Sequence, residues 1–391
     1  MSQPRSFLAA ISGLALWCGF INYVPAQTNL TLIGQVNDGG YAEGLALSGH
    51  CAFVANGTDG LRSYDVTDPT NPVSAGHIND GSFAYDVAVA GHFAFLADSA
   101  DGLRIYDIAD PTNMTAIAQT NSGGYAFRVV ATTNVCYIGN FDGGLAVYDI
   151  SNPANPRELA QTNYGAVFGL TLRDNYLYSA DSYQGLAILD VSNPANPIPV
   201  GSASFPGGDA ERATLQGHYA FVGDSENGLT VFDISDPTNP VSIGPGTGGG
   251  YMAGVMVSGN YVYAATYNDF AVYDVTGPTN AILANSIDTG GNAHSVVVTG
   301  SLAYVADDSN GLLVYSLGQP PPPRLSLARS DAGQIVLSWP APTAAFSLQE
   351  NADPATTNWM TTPDSPTVAG GNNQFILPAP GGVRFYRLIF P

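Results

Sequence analysis

The sequence contains no lysine, so arginine supplies all 11 basic residues, against 32 acidic ones, for a formal net charge of −21. A protein that binds nucleic acid needs a basic surface that releases counterions from the phosphates. This composition cannot supply such a surface, which excludes nucleic acid as a partner and disfavours anionic membranes. Only 11% of the residues are charged, so the acidity is typical of a soluble protein with a sparsely charged surface.

The sequence also lacks the short motifs that mark common catalytic sites. It has no GxSxG, HExxH or CxxC motif and no phosphate-binding loop. We therefore predict no catalytic residue and no metal ligand, and the sequence favours a protein that is not an enzyme. Carboxylates that meet only in the folded chain leave an enzyme as the alternative.

The N-terminal segment has the composition of a secretory signal peptide. Arg5 precedes an apolar run from Phe7 to Val24, and Val24-Pro25-Ala26 fits a small-residue cleavage site. We predict a signal peptide over residues 1–26 and a secreted or extracytoplasmic protein, in the periplasm or at the cell surface. The alternative is a retained single-span anchor, because the apolar run approaches the length that crosses a bilayer. Membrane contact is expected only in that case.

One segment occurs seven times along the chain. It reads GLRSYDVTDPTNPVSAG from Gly60, and its copies start 42, 42, 41, 43, 41 and 42 residues apart. The other copies are GLRIYDIADPTNMTAIA from Gly102, GLAVYDISNPANPRELA from Gly144, GLAILDVSNPANPIPVG from Gly185, GLTVFDISDPTNPVSIG from Gly228, DFAVYDVTGPTNAILAN from Asp269 and GLLVYSLGQPPPP from Gly311. A fixed period of this length indicates a repeat architecture.

Each unit contains four short strands. In the second copy the segments FAYDVAVAG, FAFLADS, LRIYDIA and TAIAQT are separated by turn sequences rich in Gly, Asp and Pro. Alternation with a period of two predicts antiparallel strands, and four of them in about 42 residues match one blade of a β-propeller. We predict an all-β fold with a seven-bladed β-propeller over residues 27–318.

The two ends of the repeat region complement each other. The seventh copy stops after Leu317 and lacks a fourth strand, whereas residues 30–36 resemble the fourth strand of the first copy. We expect the N-terminal strand to complete the last blade and close the ring, which leaves no unpaired edge between the first and last blades.

The third strand ends in aspartate in six copies, at Asp65, Asp107, Asp149, Asp190, Asp233 and Asp274. Six aspartates in register invite a catalytic or metal interpretation. A residue that recurs in every blade is more typical of a turn, where it accepts backbone hydrogen bonds while the following proline presets φ. We therefore interpret these aspartates as structural.

The C-terminal part no longer follows the repeat. Residues 319–323 form a predicted polyproline linker, and the strand-like runs over residues 324–391 predict a small β-sandwich of fibronectin-like type. Its core is expected to contain Trp339, Phe346, Trp359 and Tyr386. An aromatic face that binds carbohydrate is the alternative for these side chains.

The copies differ most at the start of the first strand, near the predicted axis. Alignment on the second strand defines a first and a second ring position. The first holds Glu43, Tyr85, Phe127, Phe168, Glu211, Ala253 and His294, and the second holds Gly44, Asp86, Arg128, Gly169, Arg212, Gly254 and Ser295. We predict a ligand-binding funnel formed by Glu43, Tyr85, Asp86, Phe127, Arg128, Phe168, Glu211, Arg212 and His294. The alternative is that these positions vary because they line solvent.

Other candidate sites carry weaker signals. The loops at 56–60, 98–102, 224–228 and 307–311 resemble calcium loops but are too short and lack the closing glutamate. We predict no cofactor, and weak calcium binding stays open. His50, His92 and His218 share one turn position and are expected too far apart to bind one metal. Cys51 and Cys136 lie two copies apart, so no disulfide is expected between them.

The third-strand motif LRIYD, LAVYD, LAILD or LTVFD, followed by [IV]-[ST]-[DN]-P-x-N-P, resembles the LVIVD repeat of bacterial and archaeal surface or secreted proteins. The resemblance covers roughly residues 30–317. It implies a β-propeller and an extracytoplasmic location, and it implies no activity because the scaffold defines the family. The sixth copy departs from the pattern, with Asp269-Phe270 for Gly-Leu and Gly277-Pro278 for Asp-Pro.

Together these features favour a non-enzymatic binding or adhesion scaffold. We expect it to act outside the cytoplasm, as a monomer, on a protein, peptide or glycan that meets the loop face of the propeller. One alternative is a hydrolase or lyase that uses Glu43, Asp86, Glu211 and His294. Another is a structural spacer that presents the C-terminal module.

Overall fold

A computed structural model describes residues 9–11, 30–79, 81–163, 165–181, 185–204, 209–226, 228–244, 250–318, 325–330, 334–340, 347–351, 359–362, 366–369, 372–377 and 384–389. Every regular element in these ranges is a β-strand. The chain divides into two compact units, Gln27–Gly318 and a second made of Met1–Ala26 with Gln319–Pro391. No helix suited to crossing a membrane occurs in the described ranges.

The first unit contains seven four-stranded antiparallel sheets, one for each repeat, as predicted. From the innermost to the outermost strand, the first three sheets contain Gly44–Ser48, Cys51–Ala55, Leu61–Asp65 and Val73–Ile78 (sheet 1); Asp86–Ala90, Phe93–Ala97, Leu103–Asp107 and Thr115–Thr120 (sheet 2); and Ala126–Ala131, Val135–Asn140, Gly144–Asp149 and Arg157–Thr162 (sheet 3). The next two contain Val167–Arg173, Tyr176–Asp181, Gly185–Asp190 and Ile198–Ala203 (sheet 4); and Ala210–Gln216, Tyr219–Asp224, Gly228–Asp233 and Val241–Gly244 (sheet 5). The last two contain Met252–Ser258, Tyr261–Thr266, Asp269–Asp274 and Ile282–Asp288 (sheet 6); and Ser295–Thr299, Leu302–Ala306, Leu312–Ser316 and Thr31–Val36 (sheet 7).

The innermost strands contact one another in cyclic order, and that of sheet 7 contacts that of sheet 1. The expected closure is confirmed, because Thr31–Val36 pairs antiparallel with Leu312–Ser316 and forms the outer strand of sheet 7. The glycine of this strand, Gly34, lies against the carbonyl of Pro69 in sheet 1. Gly76 lies in the same way against Pro111 in the next sheet, so the closing contact repeats the ordinary contact between neighbours.

The hydrophobic core lies between neighbouring sheets. In the cluster between sheets 2 and 3, Phe95 and Ile105 contact Ile138 and Tyr148. The third strand of six sheets carries a buried aromatic residue just before its last residue, at Tyr64, Tyr106, Tyr148, Phe232, Tyr273 and Tyr315, none more than 3% exposed. Burial of one such side chain stabilises the fold by about 1.5–3 kcal/mol. Sheet 4 has Leu189 at this position.

The turns after the third strands use their aspartates as hydrogen-bond acceptors. Asp65 Oδ1 accepts the N–H of Thr67 at 2.8 Å, and Asp68 Oδ1 accepts the N–H of Thr70 at 2.9 Å. The same bond recurs at Asp107, Asp149, Asp190, Asp233 and Asp274. These contacts give the repeated aspartates the structural role expected from the sequence.

The second unit has two four-stranded sheets among its described residues. One contains Ala9–Ile11, Arg384–Ile389, Ser347–Asn351 and Met360–Thr361, and the other contains Ser326–Arg329, Ile335–Pro340, Asn372–Leu377 and Thr367–Ala369. Leu337 and Phe375 from one sheet share a hydrophobic cluster with Leu348 and Leu388 from the other. The fibronectin-like type of this unit stays a prediction.

The aromatic residues expected in the C-terminal core take different places. Trp339 and Tyr386 are 1% and 3% exposed and belong to the cluster. The expectation for Trp359 was wrong, because its ring is partly exposed and the guanidinium of Arg387 lies 4.3 Å from the ring centroid. Phe346, the linker at 319–323 and the predicted signal peptide, apart from Ala9–Ile11, lie outside the described residues.

Candidate functional site

The two ring positions are structurally equivalent in all seven sheets. Each second-position residue pairs with an alanine or glycine of the second strand, in the pairs Gly44–Ala55, Asp86–Ala97, Arg128–Gly139, Gly169–Ala180, Arg212–Gly223, Gly254–Ala265 and Ser295–Ala306. In sheets 3 to 6 the register shifts at the first position, which makes Phe127, Phe168, Glu211 and Ala253 β-bulges. Bulges of this kind redirect side chains beside binding sites.

Three second-position residues are glycine because neighbouring sheets approach closely there. A Cβ at Gly44 would lie 2.5 Å from the Cα of Asp86, and a Cβ at Gly254 would lie 2.7 Å from the carbonyl oxygen of His294. A Cβ at Gly169 would lie 2.6 Å from the carbonyl oxygen of Glu211. The centre of the ring therefore has room for the longer side chains of only some sheets.

Arg212 connects three sheets across the ring. Its Nη2 lies 3.3 Å from Asp86 Oδ1 in sheet 2, and its Nη1 lies 3.3 Å from Ser295 Oγ in sheet 7. The second carboxylate oxygen of Asp86 accepts the N–H of Val129 in sheet 3 at 3.2 Å. The side chains of Arg212 and Asp86 are 18% and 10% exposed, so this pair is largely shielded from solvent. These residues contact one another and do not simply line solvent.

Arg128 lies in the same network with few hydrogen bonds. It is 7% exposed, donates from Nη1 to the carbonyl of Phe127 at 3.1 Å, and its Cζ lies 4.1 Å from the centroid of the Phe127 ring. Its Nε has no hydrogen-bond partner among the described residues. Burial, followed by the charge of Arg212, lowers the pKa of Arg128 to about 10. Buried donors without a partner are rare, so this Nε–H marks an incompletely satisfied position in the network.

A chain of contacts follows the polar side of the ring. His294 Nδ1 lies 3.3 Å from Glu43 Oε2, and the His294 ring centroid lies 5.2 Å from that of Tyr267. Tyr267 stacks on Tyr251 with centroids 4.0 Å apart, and the Tyr251 hydroxyl donates to Glu211 Oε1 at 2.7 Å. Four residues of sheets 5 to 7 are thereby linked to Glu43 of sheet 1.

Burial changes the titration of this polar side. It raises the pKa of Glu43 to about 7, against the opposing charge of Arg128. It lowers the pKa of His294 to about 4, against the favourable charge of Asp308. Neutral pH therefore leaves His294 uncharged, so its contact with Glu43 is not an ion pair. Burial also raises the pKa of Glu211, which the hydrogen bond from Tyr251 opposes.

An aromatic arc borders the other side of the ring. Its members contact one another in the order Tyr41, Phe83, Tyr85, Phe127, Phe168 and Phe141, with centroids 6.4, 4.6, 4.8, 5.5 and 5.1 Å apart. Tyr41 and Phe141 are 47% and 49% exposed. The arc spans sheets 1 to 4 and the connections between them. It forms a continuous apolar side of the ring, and Tyr41 and Phe141 are its most exposed members.

All nine residues predicted for the funnel enter these contacts, and the sequence reasoning missed several others. Tyr41, Phe83 and Tyr251 lie two residues before the first ring position, and Phe141 and Tyr267 lie in loops between second and third strands. The recurring Gly-Gly-Tyr sequence at 39–41, 123–125 and 249–251 was a signal that could have found two of them. The loop residues carry no repeated signal.

The other candidate loops have internal partners. Asp59 pairs with Arg62, and Asp101 pairs with Arg104, which also contacts Asp98. Within the described ranges, no group of three His, Cys, Asp or Glu residues is arranged to hold a metal ion. Weak calcium binding by these loops stays a prediction. Cys51 and Cys136 are both free thiols.

Comparison with known proteins identifies the repeat. The LVIVD repeat family matches residues 39–80, 81–121, 123–163, 165–204, 207–245, 249–289 and 290–315, which is more than half of the chain. A comparison with curated proteins finds no match.

Two solved structures show the likeness of the fold. A chain of the mitotic checkpoint complex is 12% identical, with 79% of this chain and 100% of that chain covered and a TM-score of 0.60. The computationally designed Ika8 protein is 10% identical, with 73% of this chain and 99% of that chain covered and a TM-score of 0.54. At such identities the likeness concerns the fold alone.

Proposed function

The chain belongs to the LVIVD repeat family, and on that premise we propose that it is an exported, non-enzymatic binding or adhesion scaffold. Its ligand is a protein, peptide or glycan outside the cytoplasm, and the binding site is the funnel on the loop face. A repeat propeller is a common scaffold for such interactions, but the fold by itself assigns no ligand. The proposal therefore depends on the funnel.

The observation that carries the proposal is the asymmetry of the ring. One side is the aromatic arc, and the other side offers the polar groups of Glu43, Glu211, Tyr251 and His294. A purely structural ring of repeats would need no such division, because the strands around it are nearly alike. An apolar wall opposite a few convergent polar groups is typical of a ligand site.

This arrangement suits a ligand with one apolar and one polar face. Exposed rings such as Phe141 and Tyr41 can pack on a sugar ring or on apolar peptide side chains. The carboxyl and hydroxyl groups of the polar side can accept hydrogen bonds from hydroxyl or amide groups of the ligand and can donate hydrogen bonds to them.

The test is a binding screen of the purified protein on peptide and glycan arrays, followed by calorimetric titration of each hit. We expect Phe141→Ala and Tyr85→Ala to weaken binding by about tenfold or more, because each removes an anchoring ring. The matched control is Ile198→Ala, since Ile198 is 50% exposed on the outer strand of sheet 4. Equal affinities for the arc variants and the control would rule out the funnel as the binding site.

A specific observation favours a second candidate, a hydrolase or lyase that uses Glu43, Asp86, Glu211 and His294. A carboxyl group with a pKa of about 7 lies 3.3 Å from a neutral imidazole, which is a suitable pair for proton transfer. Incubation of each array hit with the protein distinguishes the candidates. An enzyme forms product, and Glu43→Gln slows it by about 10²-fold or more while binding persists. A scaffold forms no product.

The proposed location and the C-terminal unit need separate measurements. Fractionation with mass spectrometry of the mature N-terminus tests export, which predicts cleavage after Ala26. Deletion of residues 319–391 tests the spacer alternative, in which the propeller only presents the C-terminal module. If surface retention depends on the deleted part and ligand binding is absent, the spacer replaces the binding scaffold.

A further inference from the structure

A cavity of about 280 Å³ lies between sheets 3 and 4, and Val167 and Leu170, on either side of the ring positions of sheet 4, are among the residues that line it. Leu145 of sheet 3 forms one wall, and Leu177, Ser179 and Leu189 of sheet 4 form another. Ser202, from the outer strand of sheet 4, also lines it. Most of its lining residues are aliphatic, and Ser179, Asp181 and Ser202 are the polar ones.

The sequence explains why the cavity occurs at this interface. The third strand of the other six sheets carries a buried Tyr or Phe where sheet 4 carries Leu189. The position of Ser179 in the second strand holds an aliphatic residue in the other sheets, at Val54, Leu96, Ile138, Val222, Ala264 and Val305. Sheet 4 is therefore the one sheet in which the ring of the third strand is missing and the neighbouring side chain is a serine.

The reach of a ring at this position is visible in the preceding sheet. Tyr148 extends from its strand to donate from its hydroxyl to the carbonyl of Asn121 at 2.8 Å, at the end of sheet 2 that bears the ring positions. The side chain of Leu189 is shorter than that of a tyrosine and does not reach as far across the interface. Leu177 pairs with Leu189 in sheet 4, at the position where Cys136 pairs with Tyr148 in sheet 3. Leucine is larger than cysteine, but its extra volume lies beside the strand and does not replace the missing ring. In the interface between sheets 2 and 3, Tyr148 shares a hydrophobic cluster with Ile138 and Ala146, which are the residues equivalent to Ser179 and Ala187.

We propose that this cavity binds a planar aromatic ring of phenol type, in the place that a tyrosine ring occupies between the other sheets. The volume is ample, because a dry cavity of about 150 Å³ already admits benzene. The leucine and valine side chains contact the faces of the ring, and the Ser179 hydroxyl can donate or accept a hydrogen bond to a polar substituent. None of the nine residues predicted for the funnel lines the cavity, and the proposal does not rest on the function proposed for the funnel.

The ring can belong to a free phenol or to the side chain of a partner protein, and two probes distinguish these sources. The free probe is p-cresol, which has the side-chain chemistry of tyrosine. The second probe is N-acetyl-tyrosinamide, which adds a peptide backbone. Binding of p-cresol alone assigns the site to free phenols, and binding of both assigns it to an exposed tyrosine of a partner.

The experiment is titration of p-cresol into the purified protein and three variants, followed by NMR and calorimetry. Leu189→Tyr fills the cavity with a ring from the chain itself. Ser179→Ile introduces the residue that sheet 3 has at this position, Ile138. Each substitution should weaken the binding of p-cresol by about tenfold or more. Phe232→Leu should open an equivalent cavity in the next interface and add a second equivalent of bound p-cresol. Ser179→Ile keeps the test valid if Leu189→Tyr does not fold.

A control separates this site from the aromatic arc, which also offers rings to p-cresol. Tyr41→Ala removes an exposed ring at the end of the arc away from sheet 4, so loss of p-cresol binding in this variant would place the probe in the arc. Two results would overturn the proposal: no saturable binding by the wild-type protein, or the same affinity in Leu189→Tyr and Ser179→Ile as in the wild type.

Discussion

Each sheet of the propeller has two ends, and the repeats treat them differently. At the turn end, which follows the third strand, the first five copies have the same Asp-x-x-Asp/Asn-Pro sequence, and its carboxylates accept bonds within their own turn. At the ring end, no two sheets carry the same pair of residues. There the side chains are largely buried and contact partners from other sheets.

This difference separates residues that stabilise only their own sheet from residues that connect several sheets of the ring. A turn-end aspartate is local, so its loss affects one turn and the effects of several such losses should add. A ring-end residue has partners far away in the chain, as Arg212 has in Asp86, 126 positions away. Its loss should therefore be felt across several sheets and should depend on what the other sheets carry.

The largest contrast is expected between two arginine–aspartate pairs of similar length. Arg212 and Asp86 are 3.3 Å apart with side chains 18% and 10% exposed, whereas Arg157 and Asp149 at the turn end are 3.1 Å apart with side chains 71% and 27% exposed. Arg212→Ala leaves the shielded carboxylate of Asp86 without its cation and should lower the free energy of unfolding by about 3–5 kcal/mol. Arg157→Ala should lower it by less than about 1 kcal/mol.

Chemical denaturation of the two variants measures this contrast. The double variant Arg212→Ala with Asp86→Ala should recover part of the loss, because it removes the unpaired charge along with its partner. Equal losses for Arg212→Ala and Arg157→Ala would mean that the ring end is no more coupled than the turn end.

The ring end should also titrate near neutrality. Folded Glu43, with a pKa of about 7 against its usual 4.5, binds its proton more tightly than the unfolded chain does, so the free energy of unfolding falls as the pH rises between these values. Folded His294, with a pKa of about 4 against its usual 6.5, has the opposite effect: the free energy of unfolding rises as the pH rises from 4 to 6.5. In the wild type the two effects oppose each other where the windows overlap.

Single variants should separate the two slopes. Relative to the wild type, Glu43→Gln should lose the contribution that falls with pH and His294→Asn the contribution that rises with pH, each with a slope of about 1.4 kcal/mol per pH unit inside its window. Denaturation between pH 4 and 8 measures both. Asp149→Asn is the turn-end control: hydrogen bonds from Ser151 hold the pKa of Asp149 at about 2, so the stability it contributes is lost only as the pH falls below its usual 3.8. Parallel curves for both ring variants and the wild type would contradict the proposed titration.

The division between the two ends also explains what the sequence could predict. The 42-residue period, the alternation of the strands and the incomplete seventh copy were enough for the seven sheets and their closure by Thr31–Val36. Alignment of the copies placed Glu43, Arg128 and His294 at equivalent positions, because equivalent register follows from repetition. The turn aspartates were interpretable for the same reason.

Contacts between different copies leave no repeated signal, and these were not predictable. Arg212 reaches Asp86 only because the closed ring brings sheets 5 and 2 together, and the bulge at Phe127 cannot be read from alternation. The pKa of Glu43 depends on burial, which follows from packing by several sheets. Tyr267 lies in a loop and meets His294 only in the folded chain.

A smaller contrast is expected between two hydrogen bonds of equal length. The Tyr251 hydroxyl donates to Glu211 at 2.7 Å in a part-buried setting, and the Thr70 hydroxyl donates to Asp68 at 2.7 Å in an exposed turn. Tyr251→Phe should lower the free energy of unfolding by about 1.5–3 kcal/mol, because the acceptor is a shielded carboxyl group. Thr70→Val should change it by no more than about 0.5 kcal/mol. Thermal and chemical denaturation report both values, and a larger loss for Thr70→Val would reverse the ranking of the two ends.

The smallest expected effect is a gain in the free energy of unfolding. It should follow when a turn residue of sheet 6 is replaced by the residue that sheet 1 has at the same position. Sheet 6 has Gly277 where sheet 1 has Asp68, yet the turn keeps its bond from the N–H of Asn280 to the carbonyl of Gly277 at 2.8 Å. No atom lies within 4 Å of a Cβ at Gly277, so an aspartate fits and can accept the N–H and hydroxyl of Thr279. Gly277→Asp should raise the free energy of unfolding by about 0.5–1 kcal/mol, partly because it restricts the unfolded chain.

The reverse substitution is the matched control for this gain. Asp68→Gly should lower the free energy of unfolding by a similar amount, because it removes the acceptor of Thr70. The same exchange is not available at the ring end, where a Cβ at Gly254 would lie 2.7 Å from the carbonyl oxygen of His294. Gly254→Arg, which copies the residue of the preceding sheet, should therefore destabilise the protein even though Arg212 stabilises its own sheet. If both exchanges were tolerated equally, the ring-end residues would be as interchangeable as the turn-end ones, and their divergence among the copies would no longer point to a site.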